Sequence, residues 1–168
     1  RKVYAIDVGY GQLAWQLRQD ERVVVMERTN FRQLDPAQFR DERPDAATID
    51  VSFISLRLIL PVLYGFLKDG GDVVALVKPQ FEAGREHVGK NGIIRNPAVH
   101  RQVLTEVSGF AESLGFAVQG IGYSPITGGE GNIEFLLHLA KAPAESGMSA
   151  DDRAGVIRQV VQEAHHSL

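Results

Sequence analysis

The stretch Ala5–Trp15, AIDVGYGQLAW, decides how this chain is read. An apolar run ends in Asp7, Gly9 and Gly11 follow at a spacing of two, and an apolar helical segment begins at Gln12. Taken alone this is strand, glycine turn and helix, the pattern that opens a nucleotide-binding unit. Glu27, at the end of the next apolar run, then takes the place of a ribose-binding acid. The ordinary alternative is a tight turn in which both glycines supply only backbone freedom.

Composition narrows the classes. The 168 residues suit one domain with a sizeable core, and 44% hydrophobic with 23% charged residues is ordinary for a globular chain. A net charge of −3 gives no overall pull toward nucleic acid or anionic lipid, so such contacts need a local basic patch. The lack of cysteine excludes disulfides, thiolate metal sites and a cysteine nucleophile. No run approaches the roughly 18 apolar residues of a membrane helix and no signal-peptide core leads the chain, which makes the cytoplasm the default location. The abrupt start in a strand-like run leads to the expectation of a piece of something longer.

Apolar runs rich in Val and Ile at Lys2–Asp7, Arg22–Met26, Ala46–Val51 and Asp72–Lys78 read as buried strands of a largely parallel sheet. Helical segments are expected at Gln12–Arg18, in a short turn near Pro36–Arg40, and over Leu58–Lys68, where Pro61 must sit near the start or kink the helix. Asn96-Pro97 starts a helix whose stripe is Val99, Val103, Val107, Phe110 and Leu114, with Gly115 as its stop. Phe116–Tyr123 and Ile133–Ala140 read as a closing antiparallel pair, and Ser149 with Asp152 as the cap of a last helix. Strands alternating with helices point to a doubly wound α/β fold.

Longer motifs set the register. DVGYGQLAW, ERTN, DVSFISL, VALVKPQFEAGRE, PAVH and SPI with GNIEFL together resemble the TlyA family, FtsJ-like rRNA methyltransferases also called hemolysins, from about Lys2 to Leu139. In that family the glycine-rich cofactor loop follows a first strand upstream of DVGYGQLAW, and an RNA-binding S4 domain lies further upstream. The polar stretch 28–45, with Pro36 and Pro44, holds no strand that would restore the count. The resemblance therefore implies an α/β, Rossmann-like methyltransferase sheet, mostly parallel with an antiparallel last strand, missing its first strand. Residues 1–141 would be the FtsJ-like domain and 142–168 a linker and C-terminal helix packed on it.

The same resemblance implies a catalytic set. Asp50 matches the acid after the fourth strand, Lys78 the lysine after the fifth, and Glu134 the glutamate of the late strand; the family's other lysine would precede residue 1. A ribose hydroxyl is a weak nucleophile at neutral pH, and a desolvated lysine oriented by carboxylates can position it and stabilise its proton's departure. No metal is required. The ordinary readings are a snorkelling lysine, a turn acid, and a glutamate interrupting an apolar strand, which is costly without a partner. For the cofactor, S-adenosylmethionine, Asp7 matches the ribose acid and Asn30 the adenine reader, with Gly9 and Tyr10 lining the pocket; Asn30 is otherwise a turn or cap residue. Arg85, Lys90 and Arg95, in the glycine-rich segment leading to His100 and Arg101, are candidates for RNA phosphates against the commoner reading of solvated loop charges.

The function implied is S-adenosylmethionine-dependent 2′-O-methylation of rRNA ribose, at cytidine. Two other readings are a pore-forming hemolysin, which the short strand runs and the lack of a strongly basic amphipathic helix disfavour, and a cofactor-free RNA-binding scaffold. A missing central strand leads to one of two expectations: another segment or partner fills its place, or Lys2–Asp7 pairs directly with Ala46–Val51.

Overall fold

A computed structural model of the chain describes residues 1–39 and 42–168. The described residues contain the strands β1 (Val3–Ile6), β2 (Val23–Met26), β3 (Ala46–Ile49), β4 (Asp72–Val77), β5 (Ala117–Tyr123) and β6 (Phe135–Ala140). They also contain the helices α1 (Trp15–Arg18), α2 (Leu56–Phe66), α3 (Pro79–Glu82), α4 (Pro97–Leu114) and α5 (Ala150–Ser167). The expected turn near Pro36–Arg40 is a 3-10 turn over Pro36–Phe39, with Arg40 outside the described residues.

The larger sheet has the order β3-β4-β6-β5, with β3 and β4 parallel and β6 antiparallel to both neighbours. The glycine-rich loop 124–134 joins β5 to β6 and holds no helix for a parallel crossover, and the two strands pair antiparallel. Val73, Ala75 and Val77 of β4 face Leu139, Leu137 and Phe135 of β6, and all six are buried. Of the alternate β4 positions, Asp72 and Val74 are exposed and Leu76 is half-buried, so one face of the sheet carries the core.

Each long helix begins where a side chain satisfies a free N–H. The Ser55 hydroxyl accepts from the Arg57 amide, which starts α2 two residues before the expected Leu58. Pro61 lies inside α2. The ammonium of Lys141 donates to the carbonyls of Tyr64 (2.6 Å) and Leu67 (2.9 Å) at its other end. Asn96 caps α4, and Gly115 at φ 112° stops it. Ser149 caps α5, which packs on α4 through the Arg153–Glu112 ion pair at 2.7 Å. By contrast α1 is shorter than expected and buries no residue.

The expected direct pairing of Lys2–Asp7 with Ala46–Val51 is not what the fold shows. Among the described residues β1 pairs only with β2, in a separate parallel sheet running from Val3↔Val23 to Ile6↔Met26. Among the described residues no segment lies in ladder contact between β1 and β3, and the two do not pair with each other. Side chains hold the small sheet instead. Tyr4 meets Phe39 edge-on at 5.0 Å, Phe39 stacks on Phe66 of α2 at 4.6 Å, and Phe31 approaches Phe66 at 5.5 Å. Lys2 and Tyr4 also pair with Glu42. Every residue of β1 is half-buried or exposed, and so are all of β3 but Ile49.

His100 of α4 is fully buried, with Nδ1 2.8 Å from Nε2 of His165 on α5. Burial first, then the His165 ring, push its pKa down to about 4. The unfolded chain takes up a proton near the ordinary value of 6.5 while the folded chain does not. Folding stability is therefore full above about pH 6.5 and should fall by on the order of 3 kcal/mol as the pH drops toward 4. Urea titrations across that window should show this slope, and His100→Gln should flatten it; an equal slope in the variant would remove His100 as its source.

Candidate active site at the carboxyl edge of the sheet

Two groups of polar side chains sit at the carboxyl ends of the parallel strands, where open α/β sheets bind ligands. The first belongs to the larger sheet. Asp50 follows β3 directly and Lys78 follows β4 directly, so their backbones leave parallel neighbouring strands side by side. The Lys78 ammonium lies 2.7 Å from Asp50 Oδ1 and donates to the Ser52 hydroxyl at 3.1 Å. The lysine side chain is only 13% exposed and the aspartate 69%. A largely desolvated ammonium is thus held at the edge of the sheet by a carboxylate that still faces solvent.

Glu134 completes the row by register. In the β4–β6 ladder Val77 faces Phe135, and the next positions outward are Lys78 and Glu134. Glu134 immediately precedes β6 rather than interrupting it, and its carbonyl accepts from the Ser124 amide at 2.9 Å. The carboxylate lies over Gly128, where a Cβ would come within 2.5 Å of Oε1. That glycine makes room for it.

The second group belongs to the small sheet. Asp7 Oδ1 accepts from the Gly9 amide at 2.6 Å, and Gly11 takes a left-handed φ of 70°. The turn after β2 bonds back to it through Arg28 N to Gly9 O and Thr29 N to Asp7 O. The Arg28 guanidinium stacks 4.4 Å from the Tyr10 ring centre. Asn30 Oδ1 accepts from the Arg32 amide and caps the 3-10 turn Phe31–Gln33, the ordinary role foreseen for it. Glu27 serves the loop's structure: it accepts from Arg18 at 2.5 Å and from the Gly11 amide at 2.9 Å. The bond from Arg18 holds its carboxyl below the usual range.

Arg85, Lys90 and Arg95 are all exposed on the segment after α3. Asn132, buried, ties that segment to the β5–β6 loop by accepting from Ile94 N at 3.0 Å and donating to Gly92 O at 2.9 Å. The basic segment is thereby anchored to the loop that ends in Glu134.

Phe53 went unnoticed in the sequence. It is 91% exposed, has a φ of 62°, and rests against Phe81 with ring centres 4.9 Å apart. A bulky residue with positive φ is strained, and such outliers concentrate at functional sites. Its apolar neighbours Val51 and Ile54 pack against the core, so the sequence held no signal that set Phe53 apart.

Comparisons with known proteins agree on the family. The model of the FtsJ-like methyltransferases matches residues 1–141. The Bacillus subtilis protein named "Putative rRNA methyltransferase YqxC" is 60% identical over all of this chain, which spans 59% of that protein. The Mycobacterium tuberculosis "16S/23S rRNA (cytidine-2'-O)-methyltransferase TlyA" is 42% identical over 96% of this chain and 59% of its own length. A solved structure, "Putative hemolysin from Streptococcus thermophilus", superposes with a TM-score of 0.90 at 54% identity, over 99% of this chain and 58% of that one. The chain thus spans about three-fifths of the relatives it matches. Among the described residues no helix is long and apolar enough to cross a membrane.

Proposed function

We propose, from the premise that this chain belongs to the FtsJ-like methyltransferase family, that it carries the reacting half of an rRNA ribose 2′-O-methyltransferase acting at cytidine. One observation carries the reading: the Lys78 ammonium, 13% exposed, held 2.7 Å from Asp50 at the carboxyl edge of the sheet. Lys78 positions the ribose hydroxyl oxygen and stabilises the charge that builds on it as its proton leaves. Asp50 fixes the ammonium, and Glu134, its neighbour across the ladder, adds a second carboxylate at the same edge of the sheet.

The cofactor is S-adenosylmethionine, which supplies when bound a methyl group on a positively charged sulfur. The small sheet fits its adenosine end. One Asp7 oxygen is occupied by Gly9, which leaves the other for ribose hydroxyls, and the exposed Asn30 and Tyr10 flank the same turn. Arg85, Lys90 and Arg95 bind RNA phosphates, and Phe53 gives a base a flat apolar face to stack on.

In the complete protein, Lys78→Ala should lower methyl transfer to rRNA by at least about 10²-fold with little change in cofactor affinity. Near-normal turnover in that variant takes Lys78 out of the mechanism. Replacing Arg85, Lys90 and Arg95 together should weaken RNA binding and reduce the slope of log K against log salt by about 2 to 3. Phe53→Ala should weaken binding at an unchanged slope; an unchanged slope in the triple variant returns the three to solvated loop charges. Finally, among the described residues Asp7 and Lys78 stand on sheets with no strand pairing between them, so side-chain packing rather than a hydrogen-bonded ladder sets the separation of the two ends of the cofactor site. Calorimetric titration of the 168-residue chain should therefore show weak S-adenosylmethionine binding or none. Micromolar binding would make DVGYGQ the main cofactor loop and shift the register by one strand.

A further inference from the structure

The two loops that carry Asp50 and Lys78 meet at three successive places. Lys78 bonds Asp50 and Ser52. Phe81 lies against Phe53. Beyond both, Glu82 reaches the start of α2, where Oε2 accepts from the Ser55 hydroxyl at 2.6 Å and Oε1 from the Leu56 amide at 2.7 Å. The first two contacts open to solvent through the 69% exposed Asp50 and the 91% exposed Phe53. The third is half-buried, and both its hydrogen bonds go to one carboxylate that is less open to solvent than the first two contacts.

The geometry explains what such a contact does. Lys78 and Glu82 lie at the two ends of one tight turn, closed by Phe81 N to Lys78 O and Ala83 N to Pro79 O, each at 2.9 Å. Asp50 and Ser55 bound a loop that leaves the buried end of β3 at Ile49 and enters α2. Pinning Glu82 to Ser55 and Leu56 therefore fixes the far end of both loops at once. The positive end of the α2 dipole favours a carboxylate there. Ser55 is thereby used twice: it donates to Glu82 and accepts from the Arg57 amide at 3.1 Å.

We propose that Glu82 is a positioning residue, which by holding the start of α2 sets the separation of Lys78 and Asp50 and keeps Phe53 turned out to solvent. The proposal rests on reading Lys78 and Asp50 as the reacting pair. Glu82 is a poor choice for stability alone. Burial pushes its carboxyl above the usual range against the two hydrogen bonds, so the ionised form counts against the fold above that pKa. A neutral amide of the same shape keeps an oxygen for the Leu56 amide and loses the charge.

The test uses the complete protein at pH 8. Glu82→Ala should lower kcat by about 10²-fold, the cost of roughly 1 Å of misplacement, with KM for S-adenosylmethionine and for rRNA unchanged. Glu82→Gln should recover about tenfold of that loss through its one retained acceptor, with a Tm equal to or above the parent's. Unchanged kcat in Glu82→Ala overturns the proposal. So does a Glu82→Gln variant as slow as Glu82→Ala, or a kcat that falls only in step with Tm. A second measurement needs no activity: a crystal structure of Glu82→Ala should show Lys78 and Asp50 beyond ion-pair distance, with α3 and β4 in place. An unmoved pair there overturns the positioning role. Should the parent protein transfer no methyl group to rRNA, the functional reading fails, and the structure of Glu82→Ala still decides whether Glu82 sets the distance.

Discussion

Four aromatic rings join two sheets that strand pairing does not. Tyr4, Phe39, Phe66 and Phe31 lie in one row, and through them the small sheet β1–β2 leans on α2 rather than on β3. Helix α2 in turn follows the Asp50 loop and is held at its other end by Lys141. The position of Asp7 relative to Lys78 is therefore set by side-chain packing through one helix. Aromatic packing of this kind is favourable but far less exacting about distance than a hydrogen-bonded ladder.

The larger sheet has the opposite character. Every second residue of β4 is buried against β6, and the ladder continues without a break from Asp72↔Ala140 to Val77↔Phe135. The first positions past its end are Lys78 and Glu134. A rigid ladder thus delivers the lysine and one carboxylate, and the parallel neighbour β3 delivers the other. The short turn α3 and the Gly128 loop then finish what the strands begin: one bends the chain after the lysine, the other leaves space for Glu134.

Electrostatics follows the same division. In the small sheet Arg18, Glu27 and the Gly11 amide form a closed set that shapes the glycine turn and leaves no charge over. At the edge of the larger sheet the charges are incompletely used: Asp50 keeps most of its surface, and Arg85, Lys90 and Arg95 stand exposed on an anchored segment. A net charge of −3 hides this local basic strip, because charge count averages over faces that the fold separates.

The sequence by itself determined the elements. Val and Ile runs placed every strand to within a few residues, Asn96-Pro97 and Gly115 bounded α4, and Ser149 capped α5, because these signals act within a few residues of themselves. The motifs also singled out Asp50, Lys78 and Glu134, and the fold sets them along one sheet edge. Tertiary structure decided the rest. That the small sheet β1–β2 rests on Phe39 and Phe66 depends on ring contacts between distant residues, which no local pattern states. At the start of α2, where Ser55 caps the helix, Glu82, far along the chain, supplies two further acceptors. Asn30 became a cap and Glu27 a brace because their partners, Arg32 and Arg18, lie where the turns bring them. Phe53 reads in sequence as one more apolar residue, and only its positive φ and its exposure beside Lys78 set it apart. Local propensity is written in neighbouring residues, whereas burial and the pairing of distant side chains exist only once the chain has closed on itself.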